Sequence, residues 1–108
     1  MIKLNLENNF AAQDMIKIVM KEKGLSPKEV IEFSINPEIH QIILKEGYAD
    51  IALECWGHAN PWREWELLDE PIIELEFDKP RERLIEDIAK KQKVDTETAI
   101  CYFLIFTM

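Results

Sequence analysis

Glycine and cysteine are scarce in this chain of 108 residues, which has three of the first and two of the second. Isolated glycines at Gly24, Gly47 and Gly57 cannot form the glycine-rich loop that cradles phosphates, which argues against nucleotide hydrolysis. Two cysteines, Cys55 and Cys101, are too few for a disulfide framework, although one bridge stays open. Long apolar runs are missing too. The longest, Ala99 to Phe106, falls well short of the roughly 20 residues that span a bilayer. The N-terminus, Met1-Ile-Lys-Leu-Asn-Leu-Glu, lacks the basic start and apolar stretch of a secretory signal. These features lead us to expect a cytoplasmic protein with reduced thiols. Basic residues are outnumbered: 13 Lys and Arg against 21 Asp and Glu give a formal net charge of −8. A domain that neutralises phosphates would have to build a basic face against that field.

The length suits one small domain. Its charge is unevenly distributed. Residues 1–35 are balanced, whereas residues 36–71 set only Lys45 and Arg63 against eight acidic residues. Acidic segments repel nucleic acids and anionic membranes and attract basic proteins, and they also keep a surface soluble.

Ile2, Leu4 and Leu6 alternate with polar residues and predict a half-buried strand. Asn8-Asn9 supplies a cap for a helix carrying Ala11, Met15, Ile16, Val19 and Met20, which Gly24 ends. Ser26-Pro27-Lys28-Glu29 has the pattern of a capping box with proline in the first turn. Val30 to Ile35 alternates like a strand, but that start signal favours a helix. Asn36-Pro37 opens a further helix with Ile39, Ile42 and Ile43 on its apolar stripe. Tyr48 to Trp56 alternates again and predicts a strand, and Trp62 to Asp69 reads as a short helix or an irregular edge strand. Ile73, Leu75 and Phe77 alternate with acids and predict another strand. Pro80 opens a helix carrying Leu84, Ile85 and Ile88. Asp95 caps a last helix, from Thr96 to Phe106, that is apolar nearly all round and must therefore be buried, by this chain or by a second copy in a homodimer. The expected class is α+β, with about four strands and four helices.

The first and last thirds share the order strand, helix, capped turn, helix. Ile2-Lys3-Leu4-Asn5-Leu6-Glu7 parallels Ile73-Glu74-Leu75-Glu76-Phe77-Asp78, and Leu25-Ser26 parallels Val94-Asp95. The division is into a unit over residues 1–35, an acidic tryptophan-rich insertion over 36–71 and a second unit over 72–108. Each unit resembles a ribbon-helix-helix module of bacterial repressors and antitoxins. The resemblance rests on pattern over about two thirds of the chain, with no specific motif. It implies that one chain holds the pair of units the family assembles from two, and that outward strand residues would enter a major groove. Those residues are Lys3 and Asn5 in one unit but Glu74 and Glu76 in the other. Carboxylates there oppose DNA binding and suit a scaffold used for protein contact.

All three tryptophans, Trp56, Trp62 and Trp65, fall in the window Trp-Gly-His-Ala-Asn-Pro-Trp-Arg-Glu-Trp at 56–65. Asp50, Glu54, Glu64 and Glu66 flank them or lie between them, with Arg63. Trp and Arg dominate many protein interfaces. Tryptophans rimmed by acids suit a partner with a basic surface and apolar pockets. They also suit a lid over a thin core or a small pocket that stacks a ring or cation.

Cys55 and His58 have the spacing of half a metal site, which His40 and Cys101 would complete, but the remaining ligands are remote and lie on predicted helices. The same Cys55–His58 pair has the residue types of a nucleophile and base, without an evident oxyanion hole. We therefore expect no cofactor, no metal and no enzymatic activity. The expected function is that of a small acidic protein that binds and regulates another protein, as inhibitors, immunity proteins, antitoxins and phage antagonists do. It would present carboxylates in place of nucleic-acid phosphates. A ribbon-helix-helix DNA-binding regulator is the alternative, and a Cys/His-dependent enzyme or metal site is a third reading.

Overall fold

A computed structural model describes residues 2–46 and 66–107. The elements run β1 (Ile2–Asn5), α1 (Phe10–Lys23), α2 (Pro27–Ser34), α3 (Pro37–Glu46), β2 (Ile72–Leu75), α4 (Lys79–Gln92) and α5 (Thr96–Thr107). Five helices and a two-stranded sheet among the described residues correct the expected four strands and four helices. The strand expected over 48–56 lies outside the described residues. In the described part of 62–69, residues 66–69 form neither strand nor helix. There the backbone N–H groups of Glu66 and Leu68 donate to the side chains of Asp14 and Gln13, at 2.9 Å each, so side chains stand in for a neighbouring strand. In Val30 to Ile35, the capping signal prevails over the alternation and α2 is helical.

Each helix starts where its sequence supplies an acceptor for the free first-turn N–H groups. Asn9 accepts from Ala12 at 3.0 Å, and Asn36 accepts from Ile39 at 2.9 Å. Asp78 accepts from Arg81 at 2.9 Å, and Asp95 accepts from Thr98 at 2.7 Å. Ser26 and Glu29 form a complete capping box at α2. α1 and α4 each end on a left-handed residue, Gly24 at φ 67° and Lys93 at φ 56°.

β1 and β2 pair antiparallel, with Ile2 opposite Leu75, Lys3 opposite Glu74, Leu4 opposite Ile73 and Asn5 opposite Ile72. Leu4, Leu6, Leu75 and Phe77 are buried against the helices. Lys3, Asn5, Ile72, Glu74 and Glu76 face outward and are exposed. Two strand–helix–helix units thus stand in sequence with their strands paired, and α3 lies between them in the chain.

α5 is the centre of the core. Ala99 to Leu104 are all buried, and the helix packs against α1, α2, α3 and α4. Four helices of its own chain therefore surround this apolar helix, without recourse to a second chain. Arg81 ties the units together: its Nε–H donates to the carbonyl of Glu32 near the end of α2, at 3.0 Å.

Candidate functional site

The residues that sequence reasoning selected fall mostly beyond the described structure. Asp50, Glu54, Trp56, Trp62, Arg63, Glu64 and Trp65 all lie outside the described residues. Glu66 lies within them. Its backbone is held by Asp14, and its exposed carboxylate pairs with the Lys21 ammonium of α1. Glu66 is thus anchored to the helix layer and is not a lone charge on a rim.

The anchoring groups were not read from the sequence. Gln13 and Asp14 are buried on α1. Gln13 Nε2 donates to the carbonyl of Leu6 at 2.6 Å, while its Oε1 accepts from Leu68. One side chain thereby clamps the chain leaving β1 to the chain approaching β2. The available signal was a pair of polar residues at 13–14, between Ala12 and Met15 on the apolar face of α1. A polar group buried there must be satisfied, and here backbone satisfies it.

Two further surfaces border β2. The first is the outward face of the ribbon. Lys3 and Glu74 are directly opposite, as are Asn5 and Ile72, and Glu76 continues the acidic row. The second is a cleft of about 450 Å³ beside β2. Met20, Pro27, Leu68 and Ile73 give it an apolar lining. Lys17 and Lys28 stand on the helix side, and Asp69, Glu70 and Glu74 stand on the other.

The proposed metal and nucleophile sets divide. Cys55 and His58 lie outside the described residues. His40, on α3, is largely buried, and its Nε2 lies 2.7 Å from Asp87 Oδ2 on α4. That hydrogen bond, with Lys91 at 3.3 Å, holds the Asp87 carboxyl below its ordinary range. Cys101 is free and buried, and Asn9 Nδ2 points to its Sγ at 3.8 Å. Desolvation, aided by Glu97 and Asp95, pushes its thiol up to about 12. Burial in apolar surroundings thus disfavours the thiolate, the form that attacks or ligates. Among the described residues no group of three or more His, Cys, Asp or Glu is placed to hold a metal ion. No described helix is long and apolar enough to cross a membrane.

Comparison with models of known families, with curated proteins and with solved structures finds no match to this chain.

Proposed function

We propose that this chain is an acidic binding domain that regulates a second protein through a basic surface on that partner, and that it acts by binding and not by catalysis. The observation that carries this reading is the composition of the ribbon face. Its lysine, Lys3, stands opposite Glu74, and Glu76 extends the row, so this exposed face carries more carboxylate than amine. The same groups that repel phosphates attract Lys and Arg. The proposal extends to Asp50, Glu54, Trp56, Trp62, Arg63, Glu64 and Trp65, as apolar anchors rimmed by charge in the segment that leads to Glu66. Cys101, a buried free thiol, is consistent with a reducing, cytoplasmic setting.

A second reading is favoured by one feature. Two strand–helix–helix units with antiparallel strands have the order of a ribbon-helix-helix pair within one chain. On such a scaffold Lys3 and Asn5 would face DNA, and Glu74 would oppose it.

Affinity capture from cell lysate, with and without nuclease, separates the two. Wild type is compared with Glu74→Lys/Glu76→Lys and with Trp62→Ala/Trp65→Ala. A protein that survives nuclease and is lost with the charge reversal supports the binding reading. Capture that disappears with nuclease, together with duplex binding that weakens steeply with salt, overturns it in favour of DNA.

A further inference from the structure

Among the described residues the ribbon has two strands, so each has one edge with no described strand beside it. The phase of the ladder tells which backbone groups lie on it. Leu6 N–H donates to the Pro71 carbonyl at 2.9 Å, so this pair is a hydrogen-bonded one. Bonded pairs recur every second residue in an antiparallel ladder. Leu4 with Ile73 and Ile2 with Leu75 are therefore bonded pairs, and Asn5 with Ile72 and Lys3 with Glu74 are not. The N–H and C=O groups of Ile72 and Glu74 consequently point away from β1. No backbone group of the described residues bonds them.

That edge borders the cleft. Ile72, Ile73 and Glu74 are consecutive and point alternately to the two faces of the sheet, yet all three line it. Consecutive residues whose side chains alternate between faces come together along the edge of a strand. The β1 side differs. The hollow lined by the consecutive Leu4, Asn5 and Leu6 has a volume of only about 180 Å³.

We infer that β2 accepts an extended segment of a partner protein as a third strand, with alternate apolar side chains in the cleft and Lys or Arg in the outer row. Backbone groups of Ile72 and Glu74 would supply the pairing. Met20, Leu68 and Ile73 receive one row of side chains. Asp69, Glu70 and Glu74 meet the basic residues of the other, while Lys17 and Lys28 on the far wall repel them and so set the segment against β2. The inference rests on the binding reading above and gives it a mode.

The test follows backbone hydrogen exchange in the full chain, using a blocked six-residue peptide of alternating Lys and Val as the probe. In the free protein, the amides of Ile72 and Glu74 exchange at least about tenfold faster than those of Ile73 and Leu75, after correction for intrinsic rates. The peptide slows the first pair. The same peptide with alternate amides N-methylated keeps its charge, loses donors and binds at least about tenfold more weakly. Glu74→Lys weakens the unmodified peptide, and Ile72→Pro, which removes an edge N–H outside the β1–β2 ladder, does the same. Protection of Ile72 and Glu74 in the free protein overturns the inference, because the edge is then already paired within the chain. Unchanged exchange with peptide, or equal binding of the methylated peptide, also overturns it. If a basic protein is still captured while these two amides stay fast, the edge mode fails and the binding reading stands.

Discussion

α1 and α4 hold equivalent places in the two strand–helix–helix units, and so do α2 and α5. The helix landmarks keep one spacing throughout: Asn9 and Asp78 cap the first helices, Gly24 and Lys93 end them, and Ser26 and Asp95 cap the second helices. Burial departs from that shared plan. α5 is buried from Ala99 to Leu104, whereas α2 buries Val30, Ile31 and Ser34 and leaves Phe33 46% exposed beneath the Lys23 ammonium, 5.0 Å from its ring centroid. Gln13 is buried and clamps two loops, but Glu82, at the matching place on α4, is exposed. The difference teaches that one local grammar of caps and stops serves two roles. The second unit supplies the centre of the core, and the first supplies the frame that holds the connection to it.

The largest expected effect tests the unequal burial. Phe103→Ala removes a fully buried ring and should cost about 3–5 kcal/mol, against less than about 1 kcal/mol for Phe33→Ala on the matching helix. Urea unfolding of both variants checks this, and similar losses would break the contrast. Next is the clamp. Gln13→Ala leaves the Leu6 carbonyl and the Leu68 N–H without their partner, and should cost about 1–3 kcal/mol. Glu82→Ala should stay within about 0.5 kcal/mol, as an exposed substitution does.

The helix stops predict opposite signs. No atom lies within 4 Å of a Cβ built at Gly24, so Gly24→Ala meets only backbone strain and should lose about 1 kcal/mol. Lys93→Gly relieves the same strain and should gain up to about 1 kcal/mol. Thermal midpoints moving in opposite directions would confirm that the two stops are one device.

The smallest effect is acid sensitivity. The Asp87 carboxyl is held low by His40 and then Lys91, and Asp95 by the Thr98 backbone and side chain. A depressed carboxyl contributes stability that is present above its unfolded value and lost as pH falls through its folded one. The loss therefore begins near pH 4 and continues below it. Asp87→Asn should flatten this acid limb in denaturation curves measured from pH 5 to pH 2. An unchanged limb would show that the α3–α4 link carries none of it.

Much of the fold was legible because it depends on neighbours in sequence. Ser26, Pro27 and Glu29 announce α2 within four residues, and Leu4 and Leu6, like Leu75 and Phe77, mark a buried strand face by alternation alone. The strand count was not legible. Alternation reports that one face is buried and says nothing of which strand lies alongside, and the described approach to β2 is held by Gln13 and Asp14 from a helix more than fifty residues earlier. The edge of β2 was hidden for the same reason: the ladder phase depends on the Leu6–Pro71 pair, which no local pattern encodes. Of the selected acids, Glu66 proved to be tied to Lys21 and Asp14, partners that composition cannot assign.

The pairing of Ile2 with Leu75 also orders events during synthesis. β1 leaves the ribosome before β2, its only partner strand among the described residues, which is made some seventy residues later. Until then Leu4 and Leu6 have no ribbon to complete, and the helix that will form the core, α5, is later still. Contacts this distant close a large loop before they return any stability. The nascent first unit thus waits with its apolar face uncovered, and the chain should reach its protease-resistant state only after α5 has emerged.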